Sequence, residues 1–292
     1  MTNPTKERRE KTRPQKIRLD KILVDQGHAA SRERAQALIL AGRVLVDEQR
    51  IDKPGTSISA AAQIRLLGSD LKYVSRGGLK LEHALAHWSI SLTGLACVDI
   101  GASTGGFTDC MLQSGALSVL AIDTGYGQIA QKLRDDPRVT LLERTNARLL
   151  APGELLTHKN EDCHPPSSGG PVLSSSKEPA FSFFAMDVSF ISATLVLPAV
   201  LGALSTPQHP WQGEAVILIK PQFEAGRENI GKGGIVRDPE ARQSAIQRVR
   251  DCVLEQHGTA IEIIDSPIQG MEGNHEYLLH AHFRGRTSTS PA

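Results

Sequence analysis

The sequence predicts an α/β fold: a mostly parallel sheet covered by helices on both faces, preceded by a small α+β domain. Three observations predict it. Apolar strand-length runs alternate with helical periodicity from residue 96 onward. Before them, two short amphipathic helices and two short strands occupy only about 55 residues. Charge also divides the chain. Residues 1–80 carry 17 Lys/Arg against 9 Asp/Glu, a net of +8, while the remainder carries a net of −7. A basic first quarter suits a polyanionic partner.

The bulk composition excludes several classes. A chain of 292 residues with 40% hydrophobic content is long enough for two domains. No run reaches the roughly 18 apolar residues of a membrane span. The charged N-terminus lacks the apolar core of a secretory signal. Cys97, Cys110, Cys163 and Cys252 are scattered without a C-x-x-C pair, which fits a reduced cytoplasmic setting and no zinc or disulfide framework. The ten histidines form no ligand pattern, so no metal is expected.

Residues 1–16 read as a disordered basic tail and 17–71 as the small domain. In that domain Leu19, Ile22 and Leu23 share a helical face ended by Gly27. Ser31 caps a second helix ended by Gly42, and 43–46 and 63–67 read as strands. Residues 72–80 form a junction, and 81–282 form the larger domain. Its strands are expected at 96–100, 118–122, 139–142, 181–186, 215–219, 260–264 and 277–282, the last antiparallel. Its helices are expected at 105–115, 127–134, 191–203 and 239–257. The Ser/Gly/Pro-rich stretch at about 160–179 reads as a disordered insertion and 283–292 as a tail.

Strand 96–100 runs into Asp99-Ile-Gly101-Ala102-Ser103-Thr104-Gly105-Gly106-Phe107. Such a loop, opening a helix whose free N–H groups point at a ligand, suits a nucleotide-like molecule or an amino-acid carboxylate. Its G-x-x-x-G-G spacing differs from the dinucleotide fingerprint G-x-G-x-x-G. Asp123 closes the next strand, where a carboxylate can accept hydrogen bonds from a ribose diol. Asp187 and Lys220 each directly follow an apolar strand, and parallel sheets place ligand chemistry at that end.

The segment Arg18-Leu-Asp-Lys21…Ser31-Arg32…Arg34…Gly42-Arg43-Val-Leu-Val…Lys53-Pro-Gly resembles the RNA-binding domain named after ribosomal small-subunit protein S-four. That resemblance implies that Arg18, Lys21, Arg32, Arg34 and Arg43 meet RNA phosphates. Lys72-Tyr-Val-Ser-Arg76-Gly-Gly-Leu-Lys80 follows it. With the glycine loop, Thr124-Gly-Tyr-Gly-Gln128, Glu143-Arg-Thr-Asn146, Met186-Asp-Val-Ser-Phe-Ile-Ser192, Ile219-Lys-Pro-Gln-Phe-Glu224 and Gly233-Gly-Ile-Val-Arg237, it closely resembles the TlyA family over residues 17–282. Members of that family carry the name hemolysin but are similar to FtsJ-type ribosomal RNA 2′-O-methyltransferases.

The resemblance implies a Rossmann-like class I methyltransferase sheet, S-adenosyl-L-methionine as cofactor, and cytidines of small- and large-subunit ribosomal RNA as targets. It implies cofactor contacts from Asp99, the loop 101–107, Asp123, Asn146 and Asp187, a further RNA contact from Arg76, and catalysis by Lys80, Asp187, Lys220 and Glu276. Lys220 is the expected base, pressed toward neutrality by the Lys80 ammonium and partial desolvation. Asp187 and Glu276 would orient the lysines. Ser189 and Ser192 read as turn and cap residues, and His275 and His280 as incidental.

Three other functions compete. A base methyltransferase would carry Asn/Asp-Pro-Pro-aromatic where this chain has Asp187-Val-Ser-Phe190. A non-catalytic ribosome-binding factor would not need the four charged positions. A membrane-active hemolysin lacks a supporting apolar or amphipathic segment. The expected partner is ribosomal RNA or a ribosomal subunit, in the cytoplasm, with no membrane and no obligate protein partner.

Overall fold

The computed structural model describes residues 16–29, 31–67, 72–158, 181–270 and 273–284. The chain divides after Leu71 into two compact units. The tail before Lys16, the insertion expected at 160–179, and the end of the chain beyond Arg284 lie outside the described residues.

The first unit contains β1 (Lys16–Arg18), α1 (Leu19–Asp25), α2 (Arg32–Leu40), β2 (Val44–Val46), β3 (Gln49–Arg50), β4 (Ser57–Ser59) and β5 (Ile64–Leu66). Strands β3-β2-β5 form one antiparallel sheet, and β1 pairs with β4. The pair β1–β4 escapes the sequence reading, because three-residue strands carry too little alternation to register. Ser31 Oγ caps α2 by accepting from Arg34 N at 3.2 Å. Leu19, Leu23, Ala35, Leu38, Ile39 and Val44 form the core.

Within that unit Asp20 is fully buried. It accepts from Arg18 Nε and Nη2 at 3.0 and 2.8 Å, Arg32 Nε at 3.0 Å and Gln36 Nε2 at 3.1 Å. Two of the expected RNA contacts, Arg18 and Arg32, are therefore fastened to a buried carboxylate while remaining about half exposed. Arg43 also makes an internal bond, Nε to Leu67 O at 2.7 Å, whereas Lys21 is exposed.

The second unit opens with α3 (Gly77–His87), so the stretch expected as a junction contains a helix N-terminus. It is built into this unit: Tyr73 is buried, and Val74 N donates to Asp109 Oδ2 at 2.8 Å. Then follow β6 (Ala96–Ile100), α4 (Gly106–Gln113), β7 (Ser118–Ile122), α5 (Gln131–Arg134), β8 (Val139–Leu142), β9 (Phe183–Met186), α6 (Ala193–Ala203), β10 (Gly213–Ile219), α7 (Pro221–Glu224), α8 (Pro239–Glu255), β11 (Gly258–Asp265) and β12 (Tyr277–Phe283).

The helix expected at 127–134 shortens to α5. Gly127 takes a φ of 67° and its N–H donates to Glu143 Oε1 at 2.8 Å, which holds the preceding residues in a loop. Phe283, expected in the tail, is buried inside β12.

The seven strands run β11-β12-β10-β9-β6-β7-β8. The pairs β10–β9, β9–β6, β6–β7 and β7–β8 are parallel, and β12 lies antiparallel to both β10 and β11. The central strands read as continuous apolar runs because both faces are covered. Val98, Ile100, Phe184, Met186, Ile217 and Ile219 face α6 and α8. Cys97, Phe183, Ala185, Val216, Leu218 and Leu278 face α3 and α4. Among the described residues, no helix is long and apolar enough to cross a membrane.

The pairing of Asp20 has a pH signature. The Arg18 guanidinium bonded to it holds its carboxyl well below the usual carboxylate range, against the opposing effect of burial. The stabilisation is thus complete above the unfolded value of about 3.9 and is lost as pH falls toward the folded value. Asp20→Asn is expected to speed amide exchange in α1 and α2 by a similar factor from pH 7 down to about 4. Below that the factor should shrink; one that grows on acidification contradicts the assignment.

Candidate active site at the carboxyl edge of the sheet

Strands β6, β7, β9 and β10 end at one edge, and the residues following them meet there. After β6 the chain turns through the glycine loop. Gly101 has a φ of 87°, and a Cβ on it would lie 2.5 Å from Asp187 O, so only glycine lets the loop lie against the end of β9. Asp187 N donates to Ile100 O at 2.8 Å, which fixes the same contact from the other side. Ser103, inside the loop, takes a φ of 49°.

Gly106 begins α4. A Cβ there would meet Ser75 Oγ at 2.3 Å and Gly78 N at 3.0 Å. The N-termini of α3 and α4 therefore touch backbone to backbone. Asp109, buried in the first turn of α4, ties that helix to the lead-in of α3 by its bond from Val74 N and to α5 by an ion pair with Lys132 at 2.9 Å.

Asp99 lies under the loop with no exposed surface. Its Oδ2 accepts from Thr108 N at 2.8 Å and Thr108 Oγ1 at 2.6 Å, while Oδ1 is buried without a partner. Burial pushes its carboxyl up to about 7; the Thr108 bonds oppose the shift, and the nearby Asp187 and Asp123 charges add to it. Asp123 ends β7. It accepts from Ser103 N at 2.8 Å and Gly125 N at 2.6 Å and remains partly open to solvent. Asn146, past β8, is exposed and accepts from Arg148 N at 3.1 Å as a helix cap; Thr145 N bonds Asp123 O at 2.9 Å, which keeps this turn beside Asp123.

The four charged positions form two lysine–carboxylate pairs. Lys80, on the first turn of α3, is buried in an ion pair with Glu276, the residue just before β12. Lys220 Nζ lies 2.5 Å from Asp187 Oδ1 and donates to Ser189 Oγ at 2.7 Å. Register brings the pairs to the same edge. Ile219 opposes Tyr277, so Lys220 and Glu276 are the next residues beyond the last rung of β10–β12.

The arrangement departs from the expectation in one respect. Lys80 is neutralised by its own carboxylate, so its ammonium does not stand uncompensated beside Lys220. Ser189, expected to be a plain turn residue, is a hydrogen-bond partner of Lys220. Ser192 caps α6 as expected, bonding Thr194 N at 3.2 Å, and also donates to Glu224 Oε2 at 2.5 Å.

Two aromatic residues escape the sequence reading. Phe190 is 93% exposed and holds a φ of 65°, a conformation that costs a non-glycine residue on the order of 1 kcal/mol or more. Its ring lies 5.5 Å from that of Phe223, which follows Lys220 by three residues. Tyr126, also exposed, carries the Arg144 guanidinium 4.3 Å above its ring. The available signal was their scarcity: only 4% of the chain is aromatic, and both lie in loops at strand ends. Such rings can stack on bases. Arg76, the N-cap of α3, is exposed.

The histidines also differ from expectation. His280 and His282 lie beside Glu214 with ligand-capable atoms within 4.8 Å of one another.

Residues 73–283 match the model of the FtsJ-like methyltransferase family, and residues 17–64 match the S4 domain. The chain is 40% identical to the 16S/23S rRNA (cytidine-2′-O)-methyltransferase TlyA of Mycobacterium tuberculosis, across 90% of this chain and 89% of that one. It is 38% identical to Hemolysin A of Brachyspira hyodysenteriae, across 90% and 99%. A solved structure of a hemolysin-named protein from Streptococcus thermophilus is similar at 40% identity and a TM-score of 0.65, covering 92% of this chain and 89% of that one.

The Lys80–Glu276 pair is open to a stability test. Removing one partner strands a buried charge, which costs about 3–5 kcal/mol, whereas replacing both is close to neutral. Urea denaturation of Lys80→Met, Glu276→Gln and the double variant should give a double variant markedly more stable than Lys80→Met alone. Additive losses would show that the two side chains are not coupled.

Proposed function

Because the chain belongs to the FtsJ-like methyltransferase family and carries an S4 domain, we propose that it methylates ribosomal RNA on a cytidine ribose 2′-hydroxyl, with S-adenosyl-L-methionine as donor. The observation that carries this reading is the gathering of the pairs Lys80–Glu276 and Lys220–Asp187 beside the glycine loop at one sheet edge.

The residues fit the donor. The loop at Gly101 lies too close to Asp187 for any side chain, which leaves backbone to line the site. The unpartnered Asp99 Oδ1 and the partly open Asp123 supply the carboxylates that an amino-acid and ribose-bearing cofactor requires. Asp99, Gly101 to Phe107, Asp123, Asn146 and Asp187 would hold it. When bound, the cofactor supplies a methyl group activated by its sulfonium. The protein's task is then alignment and management of one proton.

In its uncharged form Lys220, directed by Asp187 and Ser189, accepts the proton of the attacking hydroxyl. Lys80 and Glu276 act as a fixed, dry pair that positions the ribose side of the site. In the first unit Lys21, Arg34 and the exposed parts of Arg18, Arg32 and Arg43 contact phosphates, with Arg76 contributing from the start of α3. These contacts set affinity through charge, and its salt dependence follows. Phe190 and Phe223 offer a surface on which a base can stack.

Mass spectrometry of ribosomal RNA, incubated as naked RNA or intact subunits with labelled cofactor, tests the reading. Wild-type protein should add a methyl to a cytidine ribose. Lys220→Ala should lose about 10²–10⁴-fold in turnover while retaining cofactor binding by calorimetry. No ribose methylation by the wild type sinks the function; a fully active Lys220→Ala sinks only the base.

A further inference from the structure

The opposite edge of the sheet holds a second cluster of chemistry-bearing side chains. Glu214 lies near the start of β10, paired in register with His282 on β12, and His280 opposes Val216 two residues along. Side chains alternate along a strand, so Glu214, His280 and His282 leave the same face, the one that carries Val216, Leu218 and Leu278 toward α3. Glu214 Oε2 lies 2.9 Å from His280 Nε2 and 3.9 Å from His282 Nε2. The two imidazole rings meet nearly edge to face, their centroids 4.8 Å apart.

The surroundings fix this arrangement. His280 is buried and stacks on Trp88, at the end of α3, with centroids 5.1 Å apart and planes 28° from parallel. The Trp88 indole N–H donates to Glu262 Oε2 at 3.2 Å, and Glu262 is the β11 partner of His280 in register. Glu214 and His282 are each about one-third exposed, which opens the cluster to solvent on one side.

We propose that Glu214, His280 and His282 bind a divalent cation of the zinc class. Two imidazole nitrogens and one carboxylate are the donor set that suits Zn²⁺ and its first-row neighbours, with a fourth position left for water. At metal–ligand distances of about 2.0–2.1 Å, tetrahedral donors stand roughly 3.3 Å apart. The two Glu214–His separations of 2.9 and 3.9 Å bracket that value, and all three donor atoms lie within 4.8 Å of one another, so closing the site around an ion means drawing them together. A simple buried His–Glu pair needs only His280. The turn of His282 Nε2 toward the same carboxylate oxygen is what such a pair does not require. The stacked Trp88 supplies the kind of outer support that orients a ligating ring.

The ion would be structural. It would join β10 to β12 at one end of the strand whose other end leads to Glu276. Four residues, about 13 Å of extended chain, separate His280, the nearer ligand, from Glu276, so the ion touches no reacting group.

Full-length protein without a histidine tag, stripped with chelator, is titrated with Zn²⁺ by calorimetry and with Co²⁺ by visible absorption. The expected result is one equivalent bound, a rise in Tm with Zn²⁺, and the strong visible bands of four-coordinate Co²⁺. His282→Ala and Glu214→Gln, both at partly exposed positions, should each weaken Zn²⁺ binding roughly tenfold or more. Both should also lose the Tm rise and keep the wild-type far-ultraviolet dichroism and methyl-transfer rate. No binding by the wild type, or undiminished binding in both variants, overturns the proposal.

Discussion

The contact on which the rest of the second unit depends is the backbone approach between the start of α3 and the start of α4. No side chain fits at Gly106, because Ser75 and the Gly78 amide already occupy the space. That approach sets where the first turn of α3 lies, and Lys80 is on that turn. It also sets where α4 begins, and thus how the preceding glycine loop leaves β6. A single added methyl group at this point would move the lysine and the loop apart together.

Two ion pairs stand on that frame, and both lie where a parallel sheet gathers its strand ends. Burying a lysine and a glutamate together is expensive in itself, and the attraction between them repays the loss of water only when the geometry is fixed. Here Lys80 is fixed by a helix and Glu276 by an antiparallel strand wedged between two parallel ones. Lys220 and Asp187 are fixed by adjacent parallel strands and by Ser189. A site built on strand ends and a helix turn holds its groups more rigidly than one built on free loops. Phe190 is the complement: its strained, exposed backbone presents a ring to solvent beside that rigid set.

The antiparallel β12 gives the sheet two chemically distinct ends. Near its start Glu276 meets Lys80. Near its finish His280 and His282 meet Glu214. In the first unit the same economy appears in Asp20, whose carboxylate organises two guanidiniums and leaves them half exposed. Their charge remains available to a polyanion while their positions are set from inside.

Much of the fold was legible because it is written in local periodicity. Strands buried on both faces are apolar throughout, helices repeat near every fourth residue, and Ser31 and Ser192 announce helix starts through hydrogen bonds to nearby amides. Hence the strands of the larger sheet, the order of its elements and its antiparallel last strand could be read without coordinates. The loop at 99–107 and the charges directly after β9 and β10 were legible for the same reason, since a strand end fixes their location. What escaped was decided by contacts distant in sequence. Three-residue strands β1 and β4 exist only through each other. The partner of Lys80 is 196 residues away. His280 and His282 share a strand face through their spacing of two, but Glu214 joins them only because an adjacent antiparallel strand brings it there. The sequence by itself determined which elements form and which residues end them. The tertiary structure alone decided which charges neutralise each other, because electrostatic partners depend on distance through space and the chain encodes only distance along itself.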